Sequence, residues 1–193
     1  MAPLTIGLTG GIAAGKSEAL AAFGRLGAAT LSSDEVVHEL LESDELRSRL
    51  VGRWGEEVLA AAGVSRERVG EIVFADPEQL AWLEAQIHPL VRERTAAWLA
   101  SLPAQTEVAV VEVPLLFEAG SDGAFDTTVA VVTSDEVRRD RAAARGHALV
   151  DEREARQLSQ REKAERAEHV VRNDGSIEDL ERSLSGLLAK LRE

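Results

Sequence analysis

A stretch near the start of the chain combines glycine, lysine and serine in the spacing of a phosphate-binding loop. Residues 10–17 read GGIAAGKS and fit the pattern G-x-x-x-x-G-K-[ST]. Glycines let the backbone turn tightly and point its N–H groups at an anion, and the helix that follows offers its positive N-terminal end to the same anion. In such loops the lysine contacts the β- and γ-phosphates, and the hydroxyl binds Mg²⁺. The predicted nucleoside-triphosphate site is formed by Gly11, Ile12, Ala13, Ala14, Gly15, Lys16 and Ser17.

The residues on either side of the loop support this prediction. The short apolar run 4–8 reads as a buried strand, and Leu20, Phe23 and Leu26 recur at helical spacing after the loop. The alternative is a glycine-rich turn that carries a surface lysine, but the strand before the loop and the helix after it favour the nucleotide site. Kinases, GTPases and ATPases share such a loop, so the loop by itself does not give the function.

Predicted strands and helices alternate along the chain, which is typical of a parallel α/β sheet. We predict strands at 4–8, 28–31, 107–113, 127–132 and 169–172. Helices are predicted at 16–26, from the S-x-x-E capping box at 32–35 onward, and at 134–145, 151–167 and 177–191. Residues 36–101 carry apolar residues at helical spacing, so we expect an all-helical insertion between strands. Breaks between its helices are expected at Gly52, Gly55, Gly63, Asp76–Pro77 and Pro89.

The composition excludes several classes of function. The formal net charge of the 193 residues is −12, which disfavours a general nucleic-acid binder. The absence of cysteine excludes disulfides, thiolate metal sites and cysteine nucleophiles. No apolar run approaches the ~20 residues of a membrane-spanning helix, and residues 1–4 lack the basic start and the cleavage site of a signal peptide. We therefore expect a cytoplasmic protein that binds neither nucleic acid nor membrane.

Six segments carry a family resemblance through their order and spacing. They are 7–12 (GLTGGI), Asp34 with 36–40 (VVHEL), 87–91 (IHPLV), 113–118 (VPLLFE), Arg141 with Arg145, and 173–175 (NDG). From about residue 4 to about residue 190 the chain resembles the dephospho-coenzyme A kinase family. The phosphate loop is generic, whereas HPLV and VPLLFE together with Asp34 are much more specific. The chain departs from the family pattern at Ala13 and Ala14, where glycine or serine is usual, and at Glu112, where aspartate is usual.

The resemblance implies both a reaction and an architecture. The reaction is transfer of the γ-phosphate of ATP, with Mg²⁺, to the ribose 3′-hydroxyl of dephospho-CoA, the last step of coenzyme A synthesis. The architecture is a P-loop NTPase kinase fold of the α/β class, with a five-stranded parallel sheet, a helical CoA-domain insertion and a small lid. We expect the nucleotide core at 1–33, 104–134 and 168–193, the acceptor domain at 34–103 and the lid region at 135–167. The oligomeric state stays open.

The resemblance also gives roles to three acidic residues. Asp34 would bind the 3′-hydroxyl and accept its proton, and the alternative is a helix-start carboxylate stabilised by the helix dipole. Glu112, at the end of the strongest predicted strand, would hold a water of Mg²⁺, and the alternative is a solvated acid at a strand end. Glu118 would contact the acceptor or brace the site.

Basic and neutral residues complete the expected site. Arg141 and Arg145 are four residues apart on a predicted helix, so both face one side, and in the resemblance they belong to the lid that closes over the ATP phosphates. The alternative is surface pairing with Asp140 and its neighbours. The resemblance places His88, Pro114 and Leu115 on the acceptor side, and a capping or half-buried structural histidine is the alternative for His88.

Two further residues receive expectations. The turn that contains Asn173 would lie beside the adenine of ATP, as the resemblance implies. Lys163 belongs to a strongly charged stretch of alternating sign, so we expect it at the surface of a solvated helix.

Two other functions remain open from the residues alone. The first is another small-molecule kinase of the same fold that acts on a nucleoside, a nucleotide or a small sugar acid. The second is a regulatory NTP-binding switch, although the chain has no N-K-x-D guanine motif.

Overall fold

Five short segments pair as one parallel sheet in the computed structural model, which describes residues 2–61, 63–144 and 157–192. The strands are β1 (Leu4–Gly10), β2 (Ala29–Ser32), β3 (Val108–Glu112), β4 (Thr127–Val132) and β5 (His169–Arg172). Their order is β2-β3-β1-β4-β5, and all neighbours run parallel. The predicted five-stranded parallel sheet is confirmed, with β1 at its centre.

The inner strands place several loops at one edge of the sheet. Every residue of β3 and β4 is buried, as expected for strands that are covered on both faces. In the register of the sheet, Leu8 of β1 lies beside Glu112 on one side and Val129 on the other. Because the carboxyl ends of parallel strands meet at the same edge, the phosphate loop after β1 and the segment after β3 emerge side by side.

Eight α-helices lie in the described residues. They are α1 (Lys16–Arg25), α2 (Ser33–Glu42), α3 (Asp44–Trp54), α4 (Arg66–Ala75), α5 (Pro77–Ser101), α6 (Asp135–Ala144), α7 (Gln160–Arg166) and α8 (Ile177–Leu191). Phe23 of α1 is buried in one core with residues of β1, β3, β4 and α8. The apolar side chains of α8 recur every four residues, which directs one stripe of that helix into the core. None of these helices is long and apolar enough to cross a membrane.

The chain divides into two compact units. One contains the residues up to Ser32 and from Leu102 onward, and the other is Ser33–Ser101. The second unit holds α2, α3, α4 and α5, with α5 packed against both α2 and α4. Its buried apolar residues are Val36, Leu40, Leu46, Leu50, Val58, Val69, Val73, Leu83 and Ile87. A hairpin of two-residue strands, Leu59–Ala60 and Gly63–Val64, lies in this segment, which the sequence predicted as all helix.

Several predicted boundaries are wrong in detail. Helix α5 runs through Pro89, and α3 runs through Gly52 and ends at Trp54, before the predicted break at Gly55. A proline disturbs only one turn of a helix, and the buried Leu83 and Ile87 anchor the turn before it. Helix α2, in contrast, begins at Ser33, where the S-x-x-E pattern at 32–35 predicts a helix start. Of the helix predicted at 151–167, the described residues form α7 at Gln160–Arg166, and residues 151–156 lie outside the described residues.

A carboxylate ties the turn before β4 to the first residues of β1. Asp126 Oδ2 accepts hydrogen bonds from the backbone N of Thr5 at 2.8 Å and from its Oγ1 at 2.7 Å. The backbone N of Asp126 donates in return to Thr5 Oγ1 at 3.0 Å. The hydrogen bond from the Thr5 backbone N–H, followed by the one from its hydroxyl, lowers the pKa of Asp126 from its ordinary value of 3.8.

We expect Asp126→Ala to lower the free energy of unfolding by about 1 kcal/mol near neutral pH, because two donors of Thr5 lose their acceptor. Since the folded-state pKa is depressed, the carboxylate stabilises the fold above pH 3.8, and this contribution is lost as the pH falls through the lowered pKa. Urea unfolding at neutral and at strongly acidic pH tests the effect. The difference between wild type and variant should shrink in acid, and an equal difference at both pH values would contradict it.

Candidate active site

The phosphate loop connects β1 to α1 through a tight turn. Ala13 and Gly15 have left-handed backbone conformations, with φ of 60° and 90°. Glycine adopts this conformation without strain, whereas alanine does so rarely. Gly15 occupies the N-cap position of α1, and no side chain caps this helix. The first turn of α1 therefore has backbone N–H donors that an anion can satisfy.

The Lys16 side chain folds back over this loop. Its Nζ donates to the carbonyl oxygens of Gly11 at 3.0 Å and Gly10 at 3.3 Å. Lys16 is half-buried, and the neighbouring Ser17 is exposed. A phosphate oxygen would offer the ammonium a negatively charged acceptor, which adds the attraction of opposite charges to the hydrogen bond. Lys16 is therefore placed to exchange its contacts with the loop for contacts with a bound phosphate.

Asn173 braces the loop from the end of β5. Its side-chain Nδ2 donates to the carbonyl oxygen of Ala14 at 2.9 Å, and its backbone N donates to Val132 O at 2.8 Å. The residue is 5% exposed. Arg141 Nη1 also reaches Ala14 O, at 3.5 Å. A Cβ atom on Gly15 would lie 2.1 Å from Asn173 Nδ2, so this close approach requires glycine. Sequence reasoning missed this bracing contact, because it joins residues that are 159 positions apart.

Removal of this brace is expected to weaken nucleotide binding. In Asn173→Ala the Ala14 carbonyl loses its buried amide donor and the loop loses its lateral support. A lost buried hydrogen bond of about 1–1.5 kcal/mol corresponds to a Kd for ATP that rises roughly ten-fold, which calorimetric titration measures. The matched control is Gln79→Ala in the second unit, where the amide oxygen accepts from Trp54 Nε1 at 2.9 Å. An unchanged Kd in Asn173→Ala would contradict the bracing role.

Asp174 holds the turn after β5 against the end of β4. Its Oδ1 accepts hydrogen bonds from the backbone N of Ser134 at 2.5 Å and from Thr133 Oγ1 at 2.9 Å. These two donors, in that order, lower the pKa of Asp174, and the charges of Arg172 and Arg141 add to the effect. The carboxylate is therefore fixed in its ionised form, and it positions the neighbouring Asn173 beside the loop.

Lys163 is buried, so its expected surface position is wrong. Its side chain is 0% exposed, its Nζ donates to the carbonyl oxygen of Pro114 at 2.5 Å, and it lies 3.1 Å from Glu118 Oε1. The charge alternation of the segment suggested a solvated helix, but α7 turns this lysine toward the segment after β3. The sequence did contain one signal for this residue. Lysine is rare in the chain, and Lys163 is one of only three.

Glu112 is also buried, at 5% exposure, as the last residue of β3. The alternative of a solvated acid at the strand end is therefore excluded. Of the segment that follows, Pro114 and Leu115 are half-buried, and the side chain of Glu118 is 17% exposed.

The remaining predicted residues are distributed over both units. Asp34 is exposed in the first turn of α2, and His88 is half-buried in the middle of α5, so both belong to the second unit. A capping role for His88 is excluded, because it lies inside a helix. Arg141 lies on α6 near the phosphate loop, whereas Arg145 lies outside the described residues.

Comparison with known proteins gives one consistent result. The family model described as Dephospho-CoA kinase matches residues 4–179. A dephospho-CoA kinase of Thermus thermophilus is 36% identical over 192 residues, which cover 98% of this chain and 92% of that protein. A crystal structure from Thermus thermophilus has a TM-score of 0.82 at 35% identity and matches over 99% of both chains. The dephospho-CoA kinase structure from Campylobacter jejuni has a TM-score of 0.71 at 25% identity, over 97% of this chain and 96% of that one.

Proposed function

The chain belongs to the dephospho-CoA kinase family, and from this membership we propose how its residues carry out the reaction. The protein is a kinase that phosphorylates dephospho-CoA with ATP, the last step of coenzyme A synthesis. We assign the ribose 3′-hydroxyl as the attacking group. The observation that carries the assignment of residues is the phosphate loop, where an uncapped helix N-terminus and Lys16 converge on one turn.

The loop binds the triphosphate of ATP. Backbone N–H groups of residues 11–15 and the first turn of α1 donate to phosphate oxygens, and Lys16 leaves the Gly10 and Gly11 carbonyls to contact the β- and γ-phosphates. Asn173 supports the loop and lies next to the adenine. Arg141 and Arg145 stabilise the charge that develops on the transferring group, and the contact of Arg141 with Ala14 O supports its part of this role.

The donor set near the loop fits Mg²⁺. Ser17 offers a hydroxyl at the start of α1, and Glu112 offers a carboxylate at the end of β3, which are the hard oxygen ligands this ion prefers. The described residues contain no group of three His, Cys, Asp or Glu side chains that could hold a metal. Mg²⁺ needs no such group, because it usually binds one or two protein oxygens together with substrate phosphates and water. When bound, Mg²⁺ neutralises charge on the β- and γ-phosphate oxygens.

Asp34 is the general base for the acceptor. It accepts the proton of the 3′-hydroxyl as the 3′-oxygen forms a bond to the γ-phosphorus, and the bond from that phosphorus to the bridging β–γ oxygen breaks. The products are coenzyme A and ADP. The position of Asp34 two residues after β2, in the first turn of α2, supports this role, because ligands of α/β sheets bind near the carboxyl ends of strands.

The proposal also assigns the residues that bind the acceptor and the role of each segment of the chain. His88, Pro114, Leu115 and Glu118 bind dephospho-CoA. Residues 34–103 act as the acceptor domain, residues 135–167 as the lid, and the segments 1–33, 104–134 and 168–193 as the nucleotide core. We place the reaction in the cytoplasm.

Coupled ATP turnover with a panel of acceptors tests the function. ADP should form rapidly with dephospho-CoA and only at background rate without an acceptor, since water is excluded from the closed site. Preference for a nucleoside, a nucleotide or a sugar acid would overturn the assignment of the acceptor. Slow hydrolysis that does not depend on any acceptor would instead favour a regulatory nucleotide switch.

A further inference from the structure

We propose that Lys163 is a positioning residue for phosphoryl transfer, and that its buried ammonium fixes the segment Pro114–Glu118 relative to the strand that leads into the phosphate loop. The inference rests on the proposed acceptor-binding role of this segment. Lys163 itself is fully buried, so it acts through the groups that it holds and not by contact with a substrate.

The burial of this ammonium needs a reason. Lysines are almost never fully buried unless they are paired, because removal of the charge from water is costly. Burial lowers the pKa of Lys163, and the nearby Glu118 carboxylate acts in the opposite direction. An apolar side chain of similar length would fill the same space without this cost. What the ammonium adds is its pair of fixed contacts, with the Pro114 carbonyl and with Glu118.

One of these contacts is shared with the strand that enters the phosphate loop. The Pro114 carbonyl also accepts from Thr9 Oγ1 at 3.3 Å, and Thr9 directly precedes Gly10. The backbone N of Val113 donates to Leu8 O at 2.8 Å. The turn after β3 is therefore anchored to the last residues of β1, and Lys163 donates to the same Pro114 carbonyl.

The helix that carries Lys163 is itself held against the phosphate loop. Gln160 Nε2 donates to Thr133 O at 2.8 Å, and Gln160 Oε1 accepts from Thr133 N at 3.2 Å. A Cβ atom on Gly11 would lie 2.8 Å from the Cβ of Gln160, so this side chain packs directly on the loop. Gln160 and Lys163 are three residues apart on α7 and therefore project from neighbouring positions on the helix.

Glu118 joins the start of α7 to the same segment. Its Oε1 accepts from Leu158 N at 2.9 Å, two residues before the helix begins. The helix start is fixed by a capping box between Ser159 and Glu162. Thus α7 is a short rigid bridge, with Gln160 on the phosphate loop and Lys163 on the segment 114–118. It sets the spacing between the group that is transferred and the proposed acceptor-binding residues.

This spacing controls the rate of transfer. Reacting atoms must approach to about 3–3.5 Å, and a misplacement of 1 Å can lower the rate about 10²-fold. We expect Lys163→Met, which keeps an unbranched stem of four atoms and removes the ammonium, to lower kcat/KM for dephospho-CoA about 10²-fold. The Kd of ATP should stay within about two-fold, because the phosphate loop keeps its own contacts. Lys163→Arg, which retains a cation of different shape, should lie between Lys163→Met and wild type.

The experiment combines steady-state kinetics with dephospho-CoA, calorimetric titration of ATP, and thermal unfolding of each variant. Lys190→Met is the matched control, since Lys190 is exposed near the end of α8, and it should behave as wild type. A purely structural lysine would lower the unfolding temperature and leave both kcat and the KM for dephospho-CoA unchanged in the folded protein, and that result would overturn the proposal. Equal loss of ATP binding and of acceptor turnover would overturn it as well.

Two further readouts keep the outcome unambiguous. If Lys163→Met does not fold, Lys163→Arg carries the test, and wild-type kcat and KM for dephospho-CoA in that variant overturn the proposal. If the wild-type protein shows no turnover that depends on dephospho-CoA, the proposed function fails. If the wild type turns over and Lys163→Met matches it, only the role of Lys163 fails.

Discussion

Asp34→Asn is expected to lower kcat with dephospho-CoA by about 10²–10⁴-fold, with the Kd of ATP unchanged. Asparagine keeps the size and hydrogen-bonding shape of the side chain, but its amide cannot accept the proton of the 3′-hydroxyl at neutral pH. The loss should therefore fall on the chemical step and not on nucleotide binding. Single-turnover kinetics at saturating ATP and dephospho-CoA measure that step directly.

The neighbouring residue gives a matched control for this variant. Glu35 is the next residue in the first turn of α2 and is also exposed, so Glu35→Gln removes the same charge from the same helix end. If Asp34 only stabilises the helix dipole, the two variants should have similar effects on stability and no large effect on kcat. Turnover of Asp34→Asn within a few-fold of wild type would show that Asp34 is not the base.

Lys16→Met is expected to lower kcat/KM for ATP by about 10³-fold, as removal of a charged or hydrogen-bonding group from a transition-state site does. Methionine preserves the unbranched stem of Lys16 and removes the ammonium that would leave the Gly10 and Gly11 carbonyls for the phosphates. Since charge on the phosphoryl oxygens develops during transfer, the loss should exceed the loss in ground-state binding of ATP. Comparison of kcat/KM with the Kd from titration separates the loss during phosphoryl transfer from the loss in ATP binding.

The control for Lys16 uses the same substitution at a surface site. Lys190→Met removes one positive charge from the same unit and should leave ATP turnover unchanged. A Lys16→Met variant that retains turnover within about ten-fold of wild type would contradict the proposed role of the loop lysine.

The phosphate loop and the sheet could be predicted because their information is local. The loop consists of eight consecutive residues. The strand before it is a short apolar run, and the helix after it has apolar residues at helical spacing. Strands β3 and β4 are short apolar runs, as strands buried on both faces require. Family membership could be predicted only from several separate segments that occur in a fixed order.

The contacts that shape the site could not be predicted, because they join distant parts of the chain. Lys163 meets the Pro114 carbonyl across 49 residues, and the alternating charges around it are the same pattern that a solvated helix would show. Asn173 reads as a turn residue, and only the folded structure places its amide on the Ala14 carbonyl. At Pro89 the local rule predicted a break, but the buried residues of α5 keep the helix continuous.

A crystal structure with a non-hydrolysable ATP analogue and dephospho-CoA tests the central claim most directly. The claim is that Lys16 and the loop hold the triphosphate while Asp34 holds the hydroxyl that attacks it. The γ-phosphate is predicted within hydrogen-bond distance of Lys16 Nζ, with an Asp34 carboxylate oxygen about 2.6–3.2 Å from the ribose 3′-oxygen. A triphosphate bound away from the loop, or a 3′-oxygen held by other groups with Asp34 directed elsewhere, would contradict it.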